Sequence, residues 1–102
     1  MKSMFYGCYS IESIDLTKIT IVNSADMSFM FYGCYSLKIV LFPYIDYFNP
    51  SYKIKMNSMF YDCISLQSVN ITGFRIYLGN TSQMFYNCEN ITSLQFNINF
   101  NT

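Results

Sequence analysis

One five-residue stretch, Met-Phe-Tyr-x-Cys, occurs four times in this chain and constrains its fold more than any other feature. The copies are Met4–Cys8, Met30–Cys34, Met59–Cys63 and Met84–Cys88, starting 26, 29 and 25 residues apart. Repetition at such a period is the signature of a tandem array, in which each unit buries its apolar side against the next. The 102 residues therefore read as one domain of four units, roughly 1–26, 27–55, 56–80 and 81–102.

Each unit carries two apolar patterns. The first places Met27, Met30, Phe31 and Cys34 at i, i+3, i+4 and i+7. The same spacing recurs at Met1, Met4, Phe5, Cys8, at Met56, Met59, Phe60, Cys63, and at Thr81, Met84, Phe85, Cys88. It predicts a two-turn helix with one buried stripe. Asp26 and Asn80 stand where helix caps belong, and Lys55 cannot serve as one. Gly7, Gly33, Asp62 and Asn87, each just before the Cys, are residues that tolerate a left-handed backbone and should stop the helix.

The second pattern is apolar-x-x-apolar-x-apolar: Ile11, Ile14, Leu16; Leu37, Val40, Phe42; Leu66, Val69, Ile71; Ile91, Leu94, Phe96. Its last two members alternate with other residues at the period of a half-buried strand. The expectation is an α/β solenoid of helix–strand units. A parallel sheet in chain order would form one face, with Ile14–Leu16, Val40–Phe42, Val69–Ile71 and Leu94–Phe96 inward, and short helices would form the other. Thr17–Ala25 and Thr72–Gly79 read as ordinary returns from strand to helix, with Ile19, Ile21, Phe74, Ile76 and Leu78 as core contacts. The middle return, Pro43 to Lys55, is longer, holds both prolines, and carries Tyr44, Tyr47, Phe48 and Tyr52.

The chain resembles the BspA-like leucine-rich repeats, in their 26-residue form with Asp-Met-Ser-x-Met-Phe-x-x-Cys-x-Ser-Leu-x-x-Leu-x-Leu. Asp26 to Phe42 follows that pattern almost throughout, and Met56–Ile71 and Thr81–Phe96 follow it with substitutions. Thr81 in place of Met and the lengthened Pro43–Lys55 connection depart from it. The resemblance implies a surface-displayed, extracellular array in bacteria or protozoa, used for adhesion or host contact.

Composition narrows the partners. Six basic against six acidic residues give no net charge, and nucleic acids and anionic membranes both call for a basic footprint. The longest apolar runs, such as Ile39–Phe42, are too short to cross a bilayer. Met1 lies inside the repeat pattern, which leaves no room for a signal peptide ahead of it, and the chain reads as a piece of a longer array with uncapped, self-associating ends. With no His, Ser-His-Asp and Cys-His arrangements are impossible, and no phosphate-binding glycine loop is present. Glu12 and Asp15 are an acidic pair better read as a solvated face. No enzymatic activity and no cofactor is expected.

The four Cys share one repeat position and should stack about 4.8 Å apart. A row cannot surround a tetrahedral metal, and parallel Cβ vectors disfavour neighbour disulfides, the alternative to buried thiols. Sequons at Asn70, Asn80 and Asn90 occur about as often as chance allows in so Asn-, Ser- and Thr-rich a chain.

The expected function is a non-enzymatic protein-interaction or adhesion module. Its alternative is a structural segment of a self-associating fibre or surface layer. Outward strand positions are polar in the first unit (Ser13, Asp15, Thr17), the third (Ser68, Asn70, Thr72) and the fourth (Ser93, Gln95, Asn97), but the second presents Ile39, Leu41 and Pro43. Ile39 and Leu41, with Tyr44 and Tyr47 beside them, are the candidate binding residues; the competing reading is that the long middle loop folds over the pair.

Overall fold

In the computed structural model, which describes residues 2–21, 26–43, 54–77 and 81–99, backbone amides in the repeated stretch alternate between two kinds of partner. In the second unit the amides of Met27, Phe29, Phe31 and Gly33 donate to the carbonyls of Lys55, Asn57, Met59 and Tyr61 in the third, at 2.8–3.0 Å. Those of Met30, Tyr32 and Cys34 close local turns onto Met27, Phe29 and Phe31, and Ser28 N–H is held by the Asp26 carboxylate at 2.9 Å. All eight amides from Met27 to Cys34 are thus satisfied, half locally and half across units. The first and third units repeat the pattern toward their own neighbours, Phe5 donating to Met30 and Phe60 to Met84.

This arrangement replaces the predicted helices: among the described residues there is none. The bonds from Met30 to Met27 and from Cys34 to Phe31 span four-residue turns whose third residues, Phe29 and Gly33, have φ of 58° and 73°. A positive φ there is what type II turns require. Two turns placed back to back direct their corner residues 27, 30, 31 and 34 inward, the same spacing as one helical stripe. Asp26 therefore closes an Asx-type turn instead of capping a helix. Asn80 lies outside the described residues.

Opposite the turns lies a four-stranded parallel sheet in chain order: β1 Ser13–Asp15, β2 Ile39–Leu41, β3 Ser68–Tyr77 and β4 Ser93–Asn99. The register aligns Ile14 with Val40, Val40 with Val69, and Val69 with Leu94, as the repeat phase demands. The segment read as a return after Thr72 is instead a continuation of β3, paired with β4 through Tyr77 and Asn99 after a register shift between Ile71 and Arg75.

The core lies between sheet and turns and is richest in the two middle units. Met27, Met30, Phe31, Cys34 and Leu37 of the second unit, with Met56, Met59, Phe60, Cys63 and Leu66 of the third, are fully buried. Ile14, Leu16, Ile21, Val40, Val69 and Ile71 complete it, with Ile19 and Phe42 packed partly against it. Leu94 departs from expectation: it is in register with Val69 but 38% exposed, and Met4 is 54% exposed. Each belongs to a unit stacked on one side only.

Candidate functional site

Two surfaces emerge, one on each side of this core. On the sheet side, β1 and β2 both show an exposed–buried–exposed alternation. Pairing sets Ile39 between Ser13 and Ser68, and Leu41 beside Asp15. The outward neighbours Ser13, Asp15, Asn70, Ser93 and Gln95 are polar and exposed, whereas Ile39 and Leu41 are 42% and 49% exposed. The apolar pair anticipated from the sequence is thus brought together among polar outward neighbours. Its proposed companions Tyr44 and Tyr47, and the loop read as a cover, lie outside the described residues.

Charge borders this pair. Asp15 accepts the Thr17 hydroxyl at 2.6 Å and the Thr17 amide at 2.9 Å. Those two bonds hold its carboxyl below the usual range, so it stays charged beside Leu41. Glu12 pairs with Lys38 at 3.2 Å. The two acids, read from the sequence as a solvated face, are both exposed and each engaged with a different partner.

On the turn side stands a surface that sequence reasoning passed over. Tyr6, Tyr32, Tyr61 and Tyr86 stack face to face, with ring centroids 4.8, 4.6 and 4.6 Å apart. Tyr9 and Tyr35 form a shorter stack at 5.1 Å. Beneath runs a parallel column of Phe5, Phe31, Phe60 and Phe85 at 5.4–5.5 Å, whose two middle rings are fully buried. The signal was in the motif itself: Tyr occupies one position in all four copies, and residues at one repeat position must stack. Desolvation by neighbouring rings raises the Tyr32 and Tyr61 hydroxyls above their usual pKa, so both remain neutral donors at ordinary pH.

The cysteines are free thiols. Cys34, Cys63 and Cys88 each donate Sγ–H to a carbonyl of the preceding unit, those of Phe5, Phe31 and Phe60, at 3.0–3.1 Å. These same carbonyls accept the local turn bonds from Cys8, Cys34 and Cys63, so the thiol fills the second lone pair. Burial pushes Cys34 and Cys88 up to about 11, and Cys63 higher still. A protonated, buried, hydrogen-bonded thiol is a structural element and a poor nucleophile.

Among the described residues no three His, Cys, Asp or Glu side chains converge to hold a metal, and no buried side-chain polar atom lacks a hydrogen-bond partner. No described helix is long and apolar enough to cross a membrane. Of the sequons, Asn70 and Asn90 are exposed, and Asn90 donates Nδ2–H to the Ile64 carbonyl at 2.7 Å.

No curated protein and no solved structure matches the chain. A match does cover its whole length, residues 1–102, and by it the chain belongs to the family described as Mycoplasma protein of unknown function, DUF285.

Proposed function

We propose that this chain is a non-enzymatic protein-interaction module, displayed at a cell surface, whose contact centres on Ile39 and Leu41. One observation carries the reading: among the described residues, the outward pair Ile39 and Leu41 is aliphatic and exposed where its outward neighbours on the flanking strands are polar. Fully burying a side chain of this size contributes about 1.5–3 kcal/mol. Each is about half exposed, so a partner covering the pair gains roughly half of that per residue. Tyr44 and Tyr47, next along the chain, would extend the contact as aromatic anchors of the kind that dominate interfaces. The BspA-like pattern of Asp26–Phe42 supports this reading and supplies the extracellular setting.

The test is binding of labelled chain to host-cell monolayers. Wild type should bind saturably, and the Ile39→Ser/Leu41→Ser double variant should lose binding with an unchanged circular dichroism spectrum. Equal binding by both would refute the assignment.

A second reading, a structural segment of a fibre or surface layer, is favoured by the turn side, where Tyr recurs in every unit, as an interchangeable shaft would have it. Sedimentation separates the two. Concentration-dependent association that Tyr32→Ser/Tyr61→Ser weakens, and Ile39→Ser/Leu41→Ser does not, would favour the shaft.

A further inference from the structure

A recess of about 490 Å3, lined by Lys38, Ser65, Gln67, Asn90 and Thr92, opens where three successive units approach their strands. Its size falls within the range of small-ligand sites, about 300–1,000 Å3. It is built from two stacked rows. Ser65 and Asn90 stand two residues after their Cys, and Lys38, Gln67 and Thr92 four residues after theirs. The intervening Leu66 is buried, so the polar side chains form a floor over the core.

The hydrogen bonds already made decide what this floor offers. Thr92 spends its only hydroxyl proton on the Gln67 carbonyl at 3.3 Å, so its oxygen is left as an acceptor. Asn90 spends one N–H on the Ile64 carbonyl, which fixes the amide and leaves its carbonyl oxygen as a second acceptor. Ser65 and Gln67 bring groups that both donate and accept. The one cation, Lys38, has its ammonium drawn 3.2 Å from Glu12. Fixed acceptors and a cation already paired with Glu12 make an anion the poorer fit, and the mostly polar lining offers an apolar ligand little to pack on. What fits is a neutral molecule that donates and accepts at several adjacent points.

We propose that this recess binds a neutral saccharide, the ring hydroxyls donating to Asn90 and Thr92 and accepting from Ser65 and Gln67. It shares no side chain with the Ile39–Leu41 contact, although Lys38 adjoins Ile39, and it lies mainly on the third and fourth units. An open site of five side chains should bind a sugar weakly, with a dissociation constant on the order of 1 mM.

Nuclear magnetic resonance titration of the full chain tests this, with maltose, lactose and N-acetylglucosamine as neutral probes and inorganic phosphate and acetate as anions. At least one sugar should shift the Gln67 and Asn90 side-chain amide signals saturably, while the anions leave them in place. Gln67→Ala and Thr92→Val, both at exposed positions, should each weaken that sugar about 2–10-fold, the loss of one hydrogen bond, with backbone signals elsewhere unmoved. No saturable shift with any sugar would overturn the proposal. So would equal or stronger shifts with phosphate, or a sugar affinity indifferent to both substitutions.

Discussion

The turn side and the sheet side of this repeat array are built from the same number of units under opposite constraints. On the turn side the four units are near copies: Phe stacks on Phe, Tyr on Tyr, and thiol bonds to carbonyl. On the sheet side the inward rows repeat, while the outward rows vary, from Ser13 to Ile39 to Ser68 to Ser93. A turn-side residue touches its equivalents above and below, so changing one spoils two contacts. An outward strand residue meets mostly water, so its identity is open to selection for something outside the molecule. Uniformity marks what holds the units together, and variation marks where a task can be placed.

That contrast breaks most visibly at Phe60. Its ring stacks between Phe31 and Phe85 and meets the edge of Phe42 at 6.4 Å. Phe60→Ala removes a fully buried ring and should cost about 3–5 kcal/mol, enough to unfold a marginal domain. Chemical denaturation monitored by circular dichroism measures it. A loss below about 1 kcal/mol would mean that the Phe60 ring is not buried in solution as it is here.

The thiol row should make stability fall in alkali. Cys34 and Cys88 titrate near 9 when unfolded and at about 11 when folded, because burial disfavours the thiolate. The folded chain then holds more protons than the unfolded chain between those values. Stability is fully present below pH 9 and declines as pH rises toward 11. Tyr32 and Tyr61, also raised, act in the same direction. Thiolate absorbance followed alongside unfolding separates the two. Cys34 and Cys88 ionising near pH 9 without loss of structure would remove the Sγ–carbonyl bonds from the account.

Gly33 tests the turns themselves. Its φ is 73°, and a Cβ there would meet nothing closer than the Gly7 Cα at 4.0 Å. Gly33→Ala has room, so its cost is backbone strain alone, about 1–2 kcal/mol. Asp62 occupies the equivalent position at φ 60°, and Asp62→Gly should cost far less. Melting temperatures of the two variants compare them directly, and equal losses would show that the positive φ is not what limits these turns.

These turns are also where the sequence misled. The strand register was legible because the repeat phase dictates it: once Val40 is equivalent to Val69, the two must pair. The apolar spacing at 27, 30, 31 and 34 was legible too, but it describes a helical stripe and two consecutive turns equally well. The choice rests on where alternate amides go, and that is a contact between units some 25 residues apart which no local pattern records. Gly33 and Asp62 did signal a left-handed backbone. Phe29 and Ser58, with φ of 58° and 53°, did not, because their amides bond across units, to the carbonyls of Asn57 and Ser82, against side-chain preference. The Ile39–Leu41 pair was legible from simple alternation. The recess around Gln67 was not, because its five residues come from three units.

A comparable effect is expected on the outer edge of the turn side. Tyr61 stacks at 4.6 Å on both Tyr32 and Tyr86 but is only half-buried. Tyr61→Ser should cost about 0.5–1.5 kcal/mol for each stacked pair lost and should weaken the near-ultraviolet circular dichroism of the coupled rings. An unchanged aromatic spectrum would show that the column does not persist in solution.

The smallest stability effect per side chain is expected on β2, where three consecutive residues contain the whole contrast. Val40 faces the core at 3% exposure, between Ile14 and Val69, and Val40→Ser should cost about 1–3 kcal/mol through lost apolar burial and a buried hydroxyl. Ile39 and Leu41, one residue to either side, face outward. Replacing both with Ser makes the second unit resemble the polar outward rows of the first and third, and should cost clearly less per side chain than Val40→Ser, because only about half of each aliphatic is covered. Urea midpoints for the two variants, measured together, decide the matter. If the double variant loses as much per side chain as Val40→Ser, the pair is core under a cover and the proposed contact is wrong. If it keeps the wild-type midpoint, its side chains contribute nothing to the fold that Ser cannot supply, and the aliphatic character of that one row requires an explanation outside the chain.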